Sequence, residues 1–112
     1  MRIANERPIR ELQADFNSVF PFLEISFFKP NDSAPVAGLR VGEARQVGGN
    51  GQLFLNGDLS AGAMERTIED VFGLRTSIGC RFGQCQHSDK ATKTLNQLNH
   101  KAMKMAEHTV II

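Results

Sequence analysis

Apolar residues fall along this chain in two alternating rhythms. The opening MRIAN places Met1 and Ile3 on one face at a spacing of two, the period of a short strand. Pro8 then suits a first helical turn, where its missing N–H costs nothing. Ile9, Leu12, Phe16, Val19 and Phe20 recur at spacings of three, four, three and one. That pattern predicts an amphipathic helix ending before Pro21. FLEISFFKP returns to period two, with Leu23, Ile25 and Phe27 on one side of a strand that Pro30 closes.

The same succession is repeated later. Leu53 and Leu55 mark one face of a strand over residues 52–56, and Ser60 is placed to cap a helix. Met64, Ile68, Val71 and Phe72 form that helix's stripe, and Gly73 ends it. LRTSIGCRF then reads as a strand with Ile78, Cys80 and Phe82 inward. At an offset of 52 residues Met1 meets Leu53, Ile3 meets Leu55, Leu12 meets Met64 and Phe16 meets Ile68. A strand–helix–strand unit used twice predicts one α+β domain over 1–112. The expected fold is a ferredoxin-like β-α-β-β-α-β pseudo-repeat with an added C-terminal hairpin strand and helix.

The added helix is predicted over residues 89–108, with Asp89 as its cap and Leu95, Leu98, Ala102 and Met105 as its apolar stripe. His100 lies away from that stripe and His108 falls on it. Lys93, Gln97, Lys101 and Lys104 line the opposite side, either as a solvated face or as a docking strip for an acidic partner or nucleic acid. The tail 109–112, TVII, reads either as an extra strand or as disordered. Residues 30–51 are the least patterned: LRVGEARQV suits a strand and GGNG a turn. Gly48, Gly49 and Gly51 precede a strand rather than opening a helix, which disfavours a phosphate cradle and leaves a flexible hairpin or edge loop.

Both cysteines lie in the octet CRFGQCQH, residues 80–87. A turn near Gly83 would pair Cys80 either with Cys85 or with His87, and both registers keep Cys80, Cys85 and His87 on one hairpin face. Those three groups could form part of a metal site, but zinc commonly takes four ligands. They could also form a reversible disulfide or a Cys–His pair, for which no third, orienting group is evident. The reading adopted is two buried thiols beneath the last helix.

Composition narrows the function classes. Eight Phe with no Trp or Tyr give a core of purely apolar rings. A net charge of +1 is spread evenly, with six basic and six acidic groups in residues 1–57 and seven and six in 58–112. Global nucleic-acid affinity is therefore disfavoured. No apolar run approaches the roughly 18 residues of a membrane span. The N-terminus lacks a signal-like apolar segment, so a cytoplasmic protein is expected, with reduced thiols. Glu65, Glu69 and Asp70 read as the solvated face of the second helix rather than as catalytic carboxylates.

RIANERPIRELQADFNSVFPFLEISFFK, LSAGAMERTIEDVFGL and TLNQLN (94–99) together resemble a family of small uncharacterised bacterial proteins. The resemblance covers most of the chain except 30–51. It implies no activity, cofactor or catalytic residue, and CRFGQCQH departs from the pattern. The expectation is a non-enzymatic domain, without cofactor or resident metal, that works through protein contacts and self-association as a homo-oligomer. The alternatives are thiol redox or metal binding at Cys80, Cys85 and His87, and nucleic-acid binding along the lysine strip.

Overall fold

The computed structural model describes residues 1–30, 36, 38–49, 51–83 and 85–110, the last three by their backbone. The fold is α+β. In chain order the elements are β1 (Arg2–Ile3), α1 (Ile9–Val19), β2 (Leu23–Phe28) and α2 (Val41–Ala44). They continue with β3 (Leu53–Phe54), α3 (Ala61–Phe72), β4 (Arg75–Cys80), α4 (His87–Thr92) and α5 (Leu95–Val110).

The strands form two separate antiparallel ladders, β1 with β3 and β2 with β4, where a ferredoxin-like sheet with an added hairpin strand was expected. The longer ladder pairs Leu23 with Cys80 through to Phe28 with Arg75. Its free edges are occupied by other polar groups, most of them side chains, and among the described residues no third strand joins it. Gln13 Nε2 donates to Ile25 O (2.9 Å) and Asn17 Nδ2 to Leu23 O (3.1 Å). Val36 N donates to Phe27 O (3.1 Å), and on the other side Ile78 N donates to Glu65 Oε2 (2.8 Å). Edge groups satisfied in this way are no longer templates for strand pairing. The β1–β3 ladder, two residues on each strand, is too short to extend the sheet.

One apolar cluster draws on both halves of the chain. Leu23, Ile25 and Phe27 of β2 and Ile78 of β4 are buried together with Leu12 and Phe16 of α1 and Met64, Ile68 and Phe72 of α3. The predicted stripes of α1 and α3 therefore face this core, except Val19, which is 59% exposed. Ser60 caps α3 by accepting from Ala63 N (3.1 Å), and Gly73 ends it in the left-handed region at φ 67°.

Residues 39–49 form a clasp rather than the expected strand. Glu43 reaches back to accept from Arg40 N (3.0 Å), closing the short helix α2. Val41 N donates to Arg7 O (2.9 Å) and Gly42 N to Asn5 O (3.0 Å), with Asn5 so close that a Cβ on Gly42 would touch it at 3.1 Å. The start of α5 is held in the same manner. Leu95 N donates to Leu59 O (2.8 Å) and Asn96 N to Gly57 O (3.1 Å), while a Cβ on Gly57 would collide with the Asn96 side chain.

Arg45 ties the clasp to the helix behind it. Its guanidinium donates to Asn5 Oδ1 (2.7 Å), Gly49 O (2.8 Å) and Val71 O (3.0 Å), and lies 4.7 Å from the Phe72 ring centroid. Gln46 N and Val47 N both donate to Phe72 O, satisfying a carbonyl at the α3 C-terminus.

Three further expectations give way at the C-terminal end. No hairpin strand follows β4 among the described residues, because the chain turns directly into α4. The expected single helix over 89–108 is broken at Lys93, where Thr94 and Gln97 form a reciprocal box at the start of α5. Thr94 N donates to Gln97 Oε1 (3.0 Å) and Gln97 N to Thr94 Oγ1 (3.2 Å). Asp89 is therefore not the cap of a long helix but the buried residue of α4's first turn. In the tail, 109 and 110 continue α5 rather than adding a strand, and 111–112 lie outside the described residues.

Gly73 offers a direct check on the clasp. Its positive φ and the approach of Gln46 and Val47, at 3.0 Å from a built Cβ, oppose any side chain. Gly73→Ala is expected to destabilise the protein by more than about 1 kcal/mol in urea denaturation, whereas Gly48→Ala, with nothing nearby and no positive φ, is expected to change stability little.

Candidate functional site

β4 ends at Cys80, whose side chain follows Thr76 and Ile78 onto the buried face by the period of two. The chain then turns, with Gly83 at φ 96°, and Cys85, five residues beyond Cys80, lies beside the strand end. The two sulfurs are bonded, with the Cα atoms 5.3 Å apart. The expected pair of free core thiols is thus replaced by a disulfide. Cys80 is buried and Cys85 half-buried. Burial did not keep the thiols apart because a five-residue separation across a tight turn returns the chain to its own starting point.

His87 does not complete a three-ligand cluster. It opens α4, one residue beyond the helix's boundary residue Gln86, and is exposed. The period-two reasoning placed it on a hairpin face, and that geometry ends where the helix begins. Among the described residues, no group of three or more His, Cys, Asp or Glu side chains is arranged to hold a metal ion. Phe82 was expected inward and is instead 47% exposed, resting edge-on against Phe22 at 6.3 Å between centroids, with the Arg81 guanidinium 5.4 Å from its ring.

The polar network beside the disulfide centres on Glu65, which is not the solvated carboxylate that its position in the helix pattern suggested. One carboxylate oxygen accepts from Ile78 N on β4 (2.8 Å) and pairs with Lys90 Nζ of α4 (2.8 Å). Asp89, only 9% exposed, pairs with Lys101 of α5. Two ion pairs thereby link α3, α4 and α5. Away from this region, the carboxyl of Glu6 is held below its ordinary pKa, first by a hydrogen bond from its own backbone N–H and then by Arg2.

The four residues of the lysine strip lie near one another although the helix predicted to carry them is interrupted at Lys93. Lys93, Gln97, Lys101 and Lys104, with Asn96 and His100, line an open groove of about 510 Å³ along α5. Two of its members already have structural tasks: Lys101 neutralises Asp89, and Gln97 caps α5. The T-x-x-Q signature that assigns Gln97 to a cap is legible in TLNQ.

A second concavity, of about 250 Å³, was not foreseen. Met1, Val19, Phe20, Leu55 and Met64 line it where the end of α1 meets β3 and α3. It is apolar except for Asn56 and the Gly57 backbone. The exposure of Val19, on an otherwise inward stripe, was the only signal in the pattern, and periodicity cannot show which stripe residue overruns the core. Searches against family models, curated proteins and solved structures found no match to this chain.

Two measurements check this region. The protein purified without reductant is expected to resist alkylation at both cysteines and to weigh less by two hydrogens than its reduced form. Glu65→Ala strands both the Ile78 N–H and the Lys90 ammonium at a site only about one-fifth exposed. A loss of about 2 kcal/mol in denaturant unfolding is expected.

Proposed function

We propose that the protein is a non-enzymatic contact module that associates with a second copy of itself. The observations that carry this reading are the apolar groove beside Val19 and, on the other face of β3, the exposed ring of Phe54. Leu55 lines the groove, and its neighbour Phe54 on β3 is 67% exposed. By the antiparallel hydrogen-bonding pattern, Leu55 and Met1 exchange both backbone bonds, so Arg2 and Phe54 form the alternate pair whose backbone groups face outward. A projecting aromatic and an apolar hollow on one chain suit association between copies, in which one copy supplies the knob for another's groove. The small net charge sets no strong repulsion against such pairing.

The matched anchoring of α2 and α5 supports reading the chain as a duplicated unit. Gly42 against Asn5 and Asn96 against Gly57 are the same close contact with the residue types exchanged. In this reading the strand–helix–strand pseudo-repeat expected from the sequence persists, with its two copies joined by antiparallel ladders. No helix among the described residues is long and apolar enough to cross a membrane. The disulfide favours an oxidising compartment over the cytoplasm expected from the sequence.

Sedimentation velocity across a concentration series tests the contact. The parent protein is expected to shift from monomer to dimer as concentration rises. Val19→Asp and Phe54→Ser are each expected to remain monomeric with unfolding midpoints near the parent's, because both side chains are exposed in the monomer. A parent that stays monomeric at every concentration removes this reading.

A further inference from the structure

Among the described residues, α4 buries no apolar side chain. Its residues His87, Ser88, Ala91 and Thr92 are exposed, Lys90 is half-buried, and its single buried side chain is the carboxylate of Asp89. Six residues are also too few for a helix to persist by its own hydrogen bonds. What holds α4 in place is therefore countable. Lys90 pairs with Glu65, Asp89 pairs with Lys101, and its backbone lies against Gly62 of α3, where a built Cβ would come within 3.4 Å of Lys90 O. The fourth attachment is covalent: Cys85, two residues before His87, is bonded to the end of β4.

Ion pairs in contact with water are weak restraints. The disulfide adds a covalent restraint on the α4 end of the chain, because it holds Cys85 against the end of β4. The rest of the fold does not share this dependence. β4 is fixed by its ladder with β2, and α5 by Leu95 and Leu98 in the core and by the Thr94–Gln97 box.

We propose that the Cys80–Cys85 bond is a redox-controlled strap, whose reduction releases α4 from α3 while the core stays folded. A dithiol reductant supplies the chemistry. One thiolate attacks Sγ of Cys85, the more accessible sulfur, forming a mixed disulfide as the Cys80 sulfur leaves as thiolate and takes a proton from water. The reductant's second thiolate attacks its own sulfur in the mixed disulfide and closes its ring. The Cys85 thiolate departs and is protonated in turn. Two electrons pass from the dithiol to the protein, and the disulfide is remade inside the reductant. This device does not rest on the self-association reading and is tested without it.

The experiment is amide hydrogen exchange on the whole protein, oxidised and after treatment with dithiothreitol. Lys90 N and Lys93 N, which donate to Gln86 O and Asp89 O, report on α4. Reduction is expected to speed their exchange by at least about tenfold, with β2 and β4 amides unchanged. The Cys85→Ser variant, measured without reductant, is expected to match the reduced protein. Equal protection of α4 before and after reduction overturns the proposal. So does a loss of protection shared by every element, which would make the bond a staple of the whole fold. Finding both thiols free in protein purified without reductant overturns it as well.

Discussion

A ladder of two strands cannot stand alone in water, and the remainder of this fold is arranged to support one. β2 and β4 expose one face and two edges unless other elements cover them. The helices supply the cover for the inner face, burying Phe16, Met64, Ile68 and Phe72 against Ile25, Phe27 and Ile78. Long polar side chains on the same helices supply the edges, through Gln13, Asn17 and Glu65. Each helix thus contributes an apolar stripe to the sheet's face and polar groups to its rim. The usual hazard of a short sheet, pairing with another chain along its edge, is reduced where these side chains sit.

That edge chemistry also explains the polar network near the disulfide. Glu65 must be partly withdrawn from water to reach Ile78 N, and Lys90 compensates its charge from α4. Asp89 is compensated from α5 in the same way. Carboxylates with such fixed partners are structural, which leaves apolar surface as the unassigned resource of the molecule. The groove at Val19 and the ring of Phe54 are such features among the described residues.

The candidate site was legible only in pieces. The two cysteines stood out by their isolation in one octet, and a bonded pair was among the arrangements their spacing allowed. The error lay in extending the period of two beyond Gly83. A strand's side-chain parity holds only while the chain remains extended, and His87 belongs to a helix. Gln97, Lys101 and Lys104 of the lysine strip share a face by helical spacing within α5, whereas Lys93 lies before the helix, at the end of α4. The strip's reduced availability was not visible, because the partner of Lys101 comes from α4 and the cap at Gln97 was overlooked.

What the sequence by itself determined are the local elements. α1, β2, α3 and β4 follow from unbroken apolar periodicity, and the ends of α3 follow from Ser60 and Gly73, whose effects act within one turn. Tertiary structure alone decided which strands pair, that no single sheet forms, that Val19 is left outside the core, and that the two sulfurs meet. Those outcomes depend on side chains distant in sequence competing for the same backbone groups and the same space. Gln13 of α1 wins that competition at the edge of β2 and Glu65 of α3 at the edge of β4 because their helices pack against those strands, a placement that no local pattern encodes.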